Sequence, residues 1–535
     1  MSIDLRASIM GRRGILKWSS VTLGMAAIAP ILQACGAAAT PTPVPPTAVP
    51  AKPVEAPKPA APVAAAPTTA PAAPAATTAP AAAPAATTAP AAAPAATKPV
   101  VAAAPPAAVA APAKVAIKGK FQAFLIDDFH PDQNIFVKKS VEDFAKSQGW
   151  EIEASPVAGF VGGTNIYQKM QATVQAGDTP DIMIHNLNAR LLQSLAIGET
   201  ATDIVNENIK KFGKVIPGSE AFNKIGNDWM AVPFYGRAGG YYAREDVFKK
   251  IGVDIDKDLD DWDKVREACL KVSDPGAKVW GWGMTVNRSG DGQTLVREVM
   301  QAFGGFWTEE TGQLVKLNSP ETIKGIQWLV DTYTDKKWEN MLPPGVNAWN
   351  DISNNEAALA GTIPFTSNAG TLYAKGVFDK VPFIESLKLI QMPMGPTKKR
   401  LQSIGTQNFH LFKGLKNRDA SVAMINHFMG LEIQRVLWKT SSGYVLPAHK
   451  NQWDDPFVRT IENNRRAEAI AWNETVFRTY AHPGPFTSGA EAVEQEALLT
   501  DMVGQILKGK KTEDAVKETH ARAVKIYKDN GLKGE

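Results

Sequence analysis

The run Ile182-Met183-Ile184 is apolar without alternation, and four polar side chains follow it closely: His185, Asn186, Asn188 and Arg190. Such a run reads as a strand covered on both faces. The polar groups stand just past its carboxyl end, where open α/β sheets present a crevice to ligands. Planar carboxamides and a guanidinium there suit directed hydrogen bonding in a largely dry cleft. Flat apolar faces would complete such a site. The chain has 13 Trp, several of them beside polar loops. Most belong in cores; Trp282, Trp349, Tyr444 and Trp472 are the candidates for ligand contact.

The elements that must hold these groups alternate in type. Phe121 to Ile126 reads as a buried strand, Ile135 to Gln148 as a helix and Trp150 to Pro156 as a second strand. A helix with Met170, Val174 and Ala176 roughly one turn apart then stops on Gly177, a residue suited to the left-handed cap. Strand and helix in alternation imply right-handed crossovers and a mostly parallel sheet. Asp127-Asp128 fall at the first strand's carboxyl end, where carboxylates commonly form turns or cap helices. Trp229 to Phe234, Tyr241 to Arg244 and Trp280 to Gly283 read as further strands. Asp260 or Asp261 caps a helix beginning at Trp262, Ser319-Pro320-Glu321 opens another, and Thr512 caps the last.

Ahead of the globular part lies a different kind of sequence. Arg12-Arg13 with Leu16-Lys17 precede a mildly apolar run from Val21 to Leu32. About 12 apolar or small residues are too few to cross a hydrocarbon core of about 30 Å, so this is a signal peptide, twin-arginine-like or an ordinary Sec signal with adjacent arginines. Leu32-Gln33-Ala34-Cys35 resembles a lipobox, in which Cys35 would be acylated and anchor the chain to the membrane. Cys269 is then the one cysteine left, so no internal disulfide can form, and its helical pattern reads as core. From Gly36 to about residue 115 the sequence is Ala, Pro and Thr with few other types. Frequent proline and a lack of bulky apolar groups make this a disordered, extended tether.

Several stretches share their order and spacing with a known group: Ala231-Val-Pro-Phe234, Tyr241-Tyr-Ala-Arg-Glu-Asp-Val-Phe248, Gly304-Gly305, Asn318-Ser-Pro-Glu-Thr322, Met392-Pro-Met-Gly-Pro396 and Ser442-Gly-Tyr-Val-Leu-Pro447. Together they resemble the family 1 extracellular solute-binding proteins of ABC importers, across roughly residues 116 to 535. The resemblance implies a two-lobed α/β periplasmic-binding-protein fold with a hinge. Lobe 1 would be 116–234 with about 395–440, and lobe 2 would be 235–394 with about 441–535. It further implies that Asp127 or Asp128 touches ligand, that Tyr235 and Arg237 lie by the hinge and cleft, and that Arg288, Gln293, Asn368 and Tyr444 are contacts. Relatives that bind neutral maltodextrins tend to carry an acidic group where Arg237 stands, which speaks against a maltodextrin and leaves room for an anionic or differently hydroxylated solute. The implied partners are a sugar or other small polar solute and the membrane subunits of an ABC importer, with the receptor a monomer on the outer face of the cytoplasmic membrane.

Other classes fare less well. The whole chain holds 58 basic and 54 acidic residues, but the first 120 hold 10 and 2 of these, leaving 48 and 52 in the folded part. That balance, with no basic cluster interleaved with aromatics, speaks against a nucleic-acid surface. No His-Glu-x-x-His, Gly-x-Ser-x-Gly or Cys-x-x-Cys occurs, and no cofactor or metal is expected. The acidic run Asp254 to Asp261 fails as a calcium loop, which would need Gly at Leu259 and Glu at Val265. A surface-tethered glycan-active enzyme with two carboxylates about 5 to 10 Å apart remains an alternative. So does a surface protein serving adhesion or sensing.

Overall fold

Strands and helices alternate from the first described residues onward. The structure is a computed structural model and describes residues 114–128, 130–158, 165–237, 239–402, 405–472 and 481–535. The chain divides into two compact units, Met1–Pro105 and Pro106–Glu535, and every described residue belongs to the second. The signal peptide, Cys35 and nearly all of the tether lie outside the described residues.

The first lobe runs β1 (Phe121–Asp127), α1 (Pro131–Gln148), β2 (Ile152–Ala158), α2 (Asn165–Gln175), β3 (Ile182–His185), α3 (Ala189–Ser194), α4 (Thr202–Phe212) and α5 (Pro217–Asn223). A short hairpin of β4 (Lys224–Ile225) and β5 (Asp228–Trp229) leads to β6 (Val232–Arg237). Gly149 and Gly177 end their helices at φ of 79° and 76°, the left-handed conformation glycine adopts without a Cβ penalty. The chain then crosses to β7 (Gly239–Arg244), α6 (Glu245–Lys250), α7 (Trp262–Val272), α8 (Gly290–Ala302), α9 (Pro320–Thr334), α10 (Ser353–Leu359), β8 (Phe365–Ala369), α11 (Thr371–Phe378) and β9 (Leu387–Ile390). It returns through β10 (Gly405–His410), α12 (Arg418–Met429), α13 (Leu431–Thr440) and β11 (Val445–Pro447). After α14 (Pro456–Thr460) and α15 (Glu462–Ala471), the chain closes with α16 (Ser488–Gln495), α17 (Leu498–Leu507) and α18 (Thr512–Asp529).

Six strands form one sheet in the order β11-β6-β10-β3-β1-β2. β1 is parallel to β2 and β3, while β10 is antiparallel to β3 and β6, and β11 is antiparallel to β6. The sheet is therefore mixed where a mostly parallel one was expected, because β10 and β11 enter it in the opposite direction on returning from the far lobe. One edge consequently collects the carboxyl ends of β1, β2, β3 and β6 with the amino ends of β10 and β11. Val445–Pro447, grouped with the second lobe by the sequence reading, belongs to this sheet; its three residues are buried, and its proline sits on an edge strand where a missing N–H is tolerated.

The second lobe is built on an antiparallel sheet, β8-β7-β9. Successive residues of β7 point to opposite faces, and both faces are covered: Tyr242 joins the first hydrophobic core, Tyr241 and Ala243 the second. In the second core Trp262 meets Tyr241 edge-on at 5.1 Å and Trp282 at 6.0 Å. Burying each such aromatic contributes at least about 1.5–3 kcal/mol.

Trp280–Gly283, expected as a strand, is an extended passage with no ladder of its own. A Cβ at Gly281 would stand 1.9 Å from the Cys269 carbonyl oxygen, and one at Gly283 would meet Ile363 at 2.1 Å. The two glycines let the chain slip beneath α7. Asp261 caps α7 by accepting from Asp263 N at 3.0 Å, and Ser319 caps α9 by accepting from Thr322 N at 3.1 Å. Thr512 does not cap α18; it is the helix's first residue and bonds Gln327 from there.

Candidate functional site

The site begins where β1 ends. His130 caps α1, its ring nitrogen accepting from Gln133 N at 3.3 Å, with Pro131 at the first helical position. Asn134, one turn in, accepts from Asp128 N at 3.1 Å and donates to Asp127 Oδ1 at 2.8 Å. These bonds fix the turn so that Asp127 stays exposed while the Asp128 carboxylate is buried.

Three groups from distant parts of the chain converge on Asp128. Tyr444, immediately before β11, donates its hydroxyl to Asp128 Oδ2. Arg237, the last residue of β6, approaches the same oxygen at 3.5 Å, with side-chain exposures of 14% for Arg237 and 1% for Asp128. The guanidinium also lies 5.3 Å from the centre of the Tyr444 ring. Burial works against the charge on Arg237, yet the neighbouring Asp128, Tyr444 and Tyr235 outweigh it and hold the arginine firmly protonated. Burial pushes the Tyr444 hydroxyl well above its ordinary range. Tyr235 is wholly buried, and its hydroxyl accepts from Gln133. It supports the cluster from beneath.

At the end of β3, His185 is buried opposite Asn408 of β10, and its carbonyl oxygen pairs with His410 Nε2 at 3.0 Å. Burial, then the proximity of His185, lowers the His410 imidazole to about 3, so it stays neutral. Asn186 is half-buried, and its side chain forms no hydrogen bond with the described residues, which leaves it available at the edge. Asn188 caps α3 by accepting from Arg190 N at 2.9 Å, and its amide donates to Glu491 Oε2 of α16 at 3.1 Å. Tyr167 reaches the other oxygen of Glu491 at 3.4 Å, so this carboxylate bridges the lobes. Arg190 is turned away, donating to the Lys224 carbonyl at 3.2 Å.

A second polar edge belongs to the second sheet. Asn368, at the end of β8, pairs in register with Gly240 of β7, three residues beyond Arg237. It is 5% exposed, and its amide donates to Asn355 Oδ1 and, at 3.4 Å, to Asp291 Oδ2. Asp291 also accepts from Asn354 Nδ2 at 2.8 Å. The backbone N–H groups of Gly290 and Asp291 both donate to Asp351, at 3.1 and 2.8 Å. Burial first, and the Asp351 charge second, push the Asp291 carboxyl up to about 7. Asp291, Asp351 and Asn354 escaped the sequence reading. Their neighbours Arg288, Gln293 and Trp349 were in view, but only the fold brings Asp291, Asp351 and Asn354 onto the end of β8.

The remaining candidates separate. Trp349 is half-buried and packs against both cores, between the lobes. Arg288 is exposed, donates to the Glu496 carbonyl at 3.0 Å and lies 3.9 Å from Asp501. Gln293 is buried; its Oε1 accepts from Thr500 N at 2.8 Å, while its Nε2 has no hydrogen-bond partner among the described residues. Trp282 is a core residue, fully buried with its N–H on the Tyr333 hydroxyl at 2.9 Å, and has no surface to offer a ligand. Trp472 packs on the first core with Lys450 4.8 Å from its ring centre, away from the strand ends. A cavity of about 250 Å³ elsewhere on the second lobe is lined by Asp256, Asp260, Arg400 and Arg466. Most of its charges are already paired, Arg466 with Asp256 at 2.6 Å and Asp260 with Lys264 at 2.8 Å. Among the described residues no group of three or more His, Cys, Asp or Glu could hold a metal ion, and no helix is long and apolar enough to cross a membrane.

The chain matches the sequence profile of the bacterial extracellular solute-binding proteins over residues 130–434. A probable ABC transporter-binding protein of Deinococcus radiodurans is 21% identical over 251 residues, 43% of this chain; the chain spans 57% of that relative's length. The fold is similar to that of maltose-bound MalE3 of T. maritima, at 20% identity and a TM-score of 0.62, covering 76% of this chain and 99% of that one. It is similar to a solute-binding protein of Agrobacterium radiobacter in complex with ribitol, at 14% identity and 0.63, covering 78% and 100%. A sugar transporter protein of Arthrobacter chlorophenolicus with bound laminaribiose gives 16% and 0.61, covering 76% and 98%. The fold is thus the two-lobed periplasmic-binding-protein fold, and the chain belongs to the bacterial extracellular solute-binding protein family, whose members are binding proteins, not enzymes.

Proposed function

We propose that the protein is an extracytoplasmic receptor that closes its two lobes over a carbohydrate or related polyol and delivers it, as a monomer, to an ABC importer. The observation that carries this reading is the pairing of edges. Asp128, Arg237, Tyr444 and His185 stand at one sheet end, and Asn368 with Asp291 stands at the other, joined by a crossing of three residues. Three residues reach about 11 Å at most and paired strands lie about 5 Å apart, so both sets come within reach of one small solute. Asp127, Asn186 and Arg288 are the further polar contacts in this reading, and Trp349 supplies an apolar face for a sugar ring. The maltose, ribitol and laminaribiose bound by the three similar structures support this class of solute.

A solute that touches both edges only when the lobes are shut shifts the population toward the shut form by its difference in affinity for the two. The importer then reads the closed shape. Acylation at Cys35 and the Ala/Pro/Thr tether would hold the receptor on the outer face of the cytoplasmic membrane. Thermal melting against a panel of sugars and polyols tests the reading, since a ligand at 100 times its Kd adds about 2.7 kcal/mol. At least one member is expected to raise the Tm without being chemically altered. A panel with no stabilising member, or one converted to product, would overturn it. Loss of a palmitate label in Cys35→Ser tests the anchor.

A further inference from the structure

We infer that Asp291, with Asn368 beside it, is the specificity-determining pair of the second lobe, selecting an uncharged polyhydroxylated solute over the corresponding acid or phosphate. The inference rests on the carbohydrate reading and fixes the charge of the solute within it. Arg237 alone points toward an anion. In the fold, however, its charge is answered by Asp128, whose carboxylate is all but sealed from water and also holds the Tyr444 hydroxyl. No cation is left over from that set.

The opposite edge carries Asp291 and Asp351, and the nearest cation on its loop, Arg288, is engaged by the Glu496 carbonyl and Asp501. Neither Asp291 nor Asp351 forms an ion pair with any described residue, and Asp351 is occupied by the first N–H groups of α8. Asp291 Oδ2 is occupied by Asn354 and Asn368, whereas Oδ1 accepts no hydrogen bond from the described residues. Asn368, nineteen-twentieths buried, uses its amide N–H groups on Asn355 and Asp291, and its carbonyl oxygen likewise accepts nothing. Neither oxygen is sealed from water, so both are open to accept from a solute. Two such acceptors side by side suit a pair of hydroxyl donors. A carboxylate or phosphate brings acceptors only, and would face Asp291 and Asp351 across a cleft with little water to screen them.

The test is calorimetric titration of the full chain at pH 7.5 with matched pairs: glucose and glucuronate, maltose and maltobionate, ribitol and ribitol 5-phosphate. The wild-type protein is expected to bind an uncharged member on the order of 100-fold more tightly than its anionic counterpart, the cost of like-charge juxtaposition in a closed site. Asp291→Asn keeps the shape and removes the charge. It should weaken the uncharged ligand about tenfold, roughly the worth of one charge-assisted hydrogen bond, and narrow the discrimination within the pair. Asn368→Ala, whose melting curve reports whether it folds, should weaken the same ligand without narrowing the discrimination. An anionic member that binds more tightly than its partner overturns the inference and leaves the carbohydrate reading standing, as does an Asp291→Asn protein with both affinities unchanged. Failure of all six compounds to bind overturns the carbohydrate reading and this inference with it.

Discussion

Tyr444 donates its hydroxyl hydrogen bond to the carboxylate oxygen of Asp128 that also faces Arg237 at 3.5 Å. Residues 316 positions apart are thereby joined at the point where the chain leaves the first lobe. Removing either partner of a buried ion pair strands the other, so Arg237→Met should destabilise the protein by about 3–5 kcal/mol. Tyr444→Phe removes one bond to a charged acceptor and should cost about 1.5–3 kcal/mol. Urea denaturation of both variants and of Asp128→Asn/Arg237→Met checks this; the double variant should recover part of the loss of Arg237→Met. Additive losses would mean the pair is not coupled.

Asp291 makes a prediction about pH. Its carboxyl is raised to about 7 in the fold, against about 3.9 in an unfolded chain. The folded protein therefore holds a proton that the unfolded one releases, and this group's contribution to stability is lost as pH rises from about 4 to about 7. A shift of this size corresponds to about 4 kcal/mol at most, and the partial exposure of Asp291 reduces the expected loss to about 1–2 kcal/mol. Asp291→Asn should match the wild type near pH 4 and exceed it by about 1–2 kcal/mol at pH 7.5. Parallel stability curves for the two proteins would refute the assignment.

Asn188 both caps α3 and meets Glu491 from the other lobe. Asn188→Asp keeps a good cap but sets a second carboxylate against Glu491. Small-angle scattering of the ligand-free variant should show a larger radius of gyration than wild type, with Tm lowered by only a few degrees. An unchanged profile would mean that this contact does not hold the lobes together.

Trp282 separates core from site. Trp282→Phe should cost about 1–3 kcal/mol through lost volume and a lost partner for the Tyr333 hydroxyl, while the protein that remains folded binds its solute with unchanged affinity. A tenfold loss of affinity at constant fold would return Trp282 to the site.

Much of the frame was legible because it rests on local signals. Unbroken apolar runs marked β1 and β3, Gly177 marked a helix end, and Asp261 and Ser319 marked caps that the structure contains. Polar groups past strand ends likewise marked the sheet edge at which Asp128 and His185 stand. What depends on partners far away in sequence was not legible. Trp282 beside its polar loop looked like a contact until Gly281 and Gly283 proved to carry it under α7 into the core. Arg237 left room for an anionic solute in the sequence because its counter-ion, Asp128, lies 109 positions earlier. Asp291 was passed over because Asn354 and Asn368 meet it only once β8 and α10 are in place. Val445–Pro447 went to the wrong lobe because three residues carry too little periodicity to announce which sheet they join.

The most direct measurement is small-angle scattering of the protein with and without a saturating uncharged sugar identified by thermal shift. Closure over a solute held between the Asp128 and Asn368 edges predicts a smaller radius of gyration and a shorter maximum dimension in the bound state. Saturation with no change in either would contradict it.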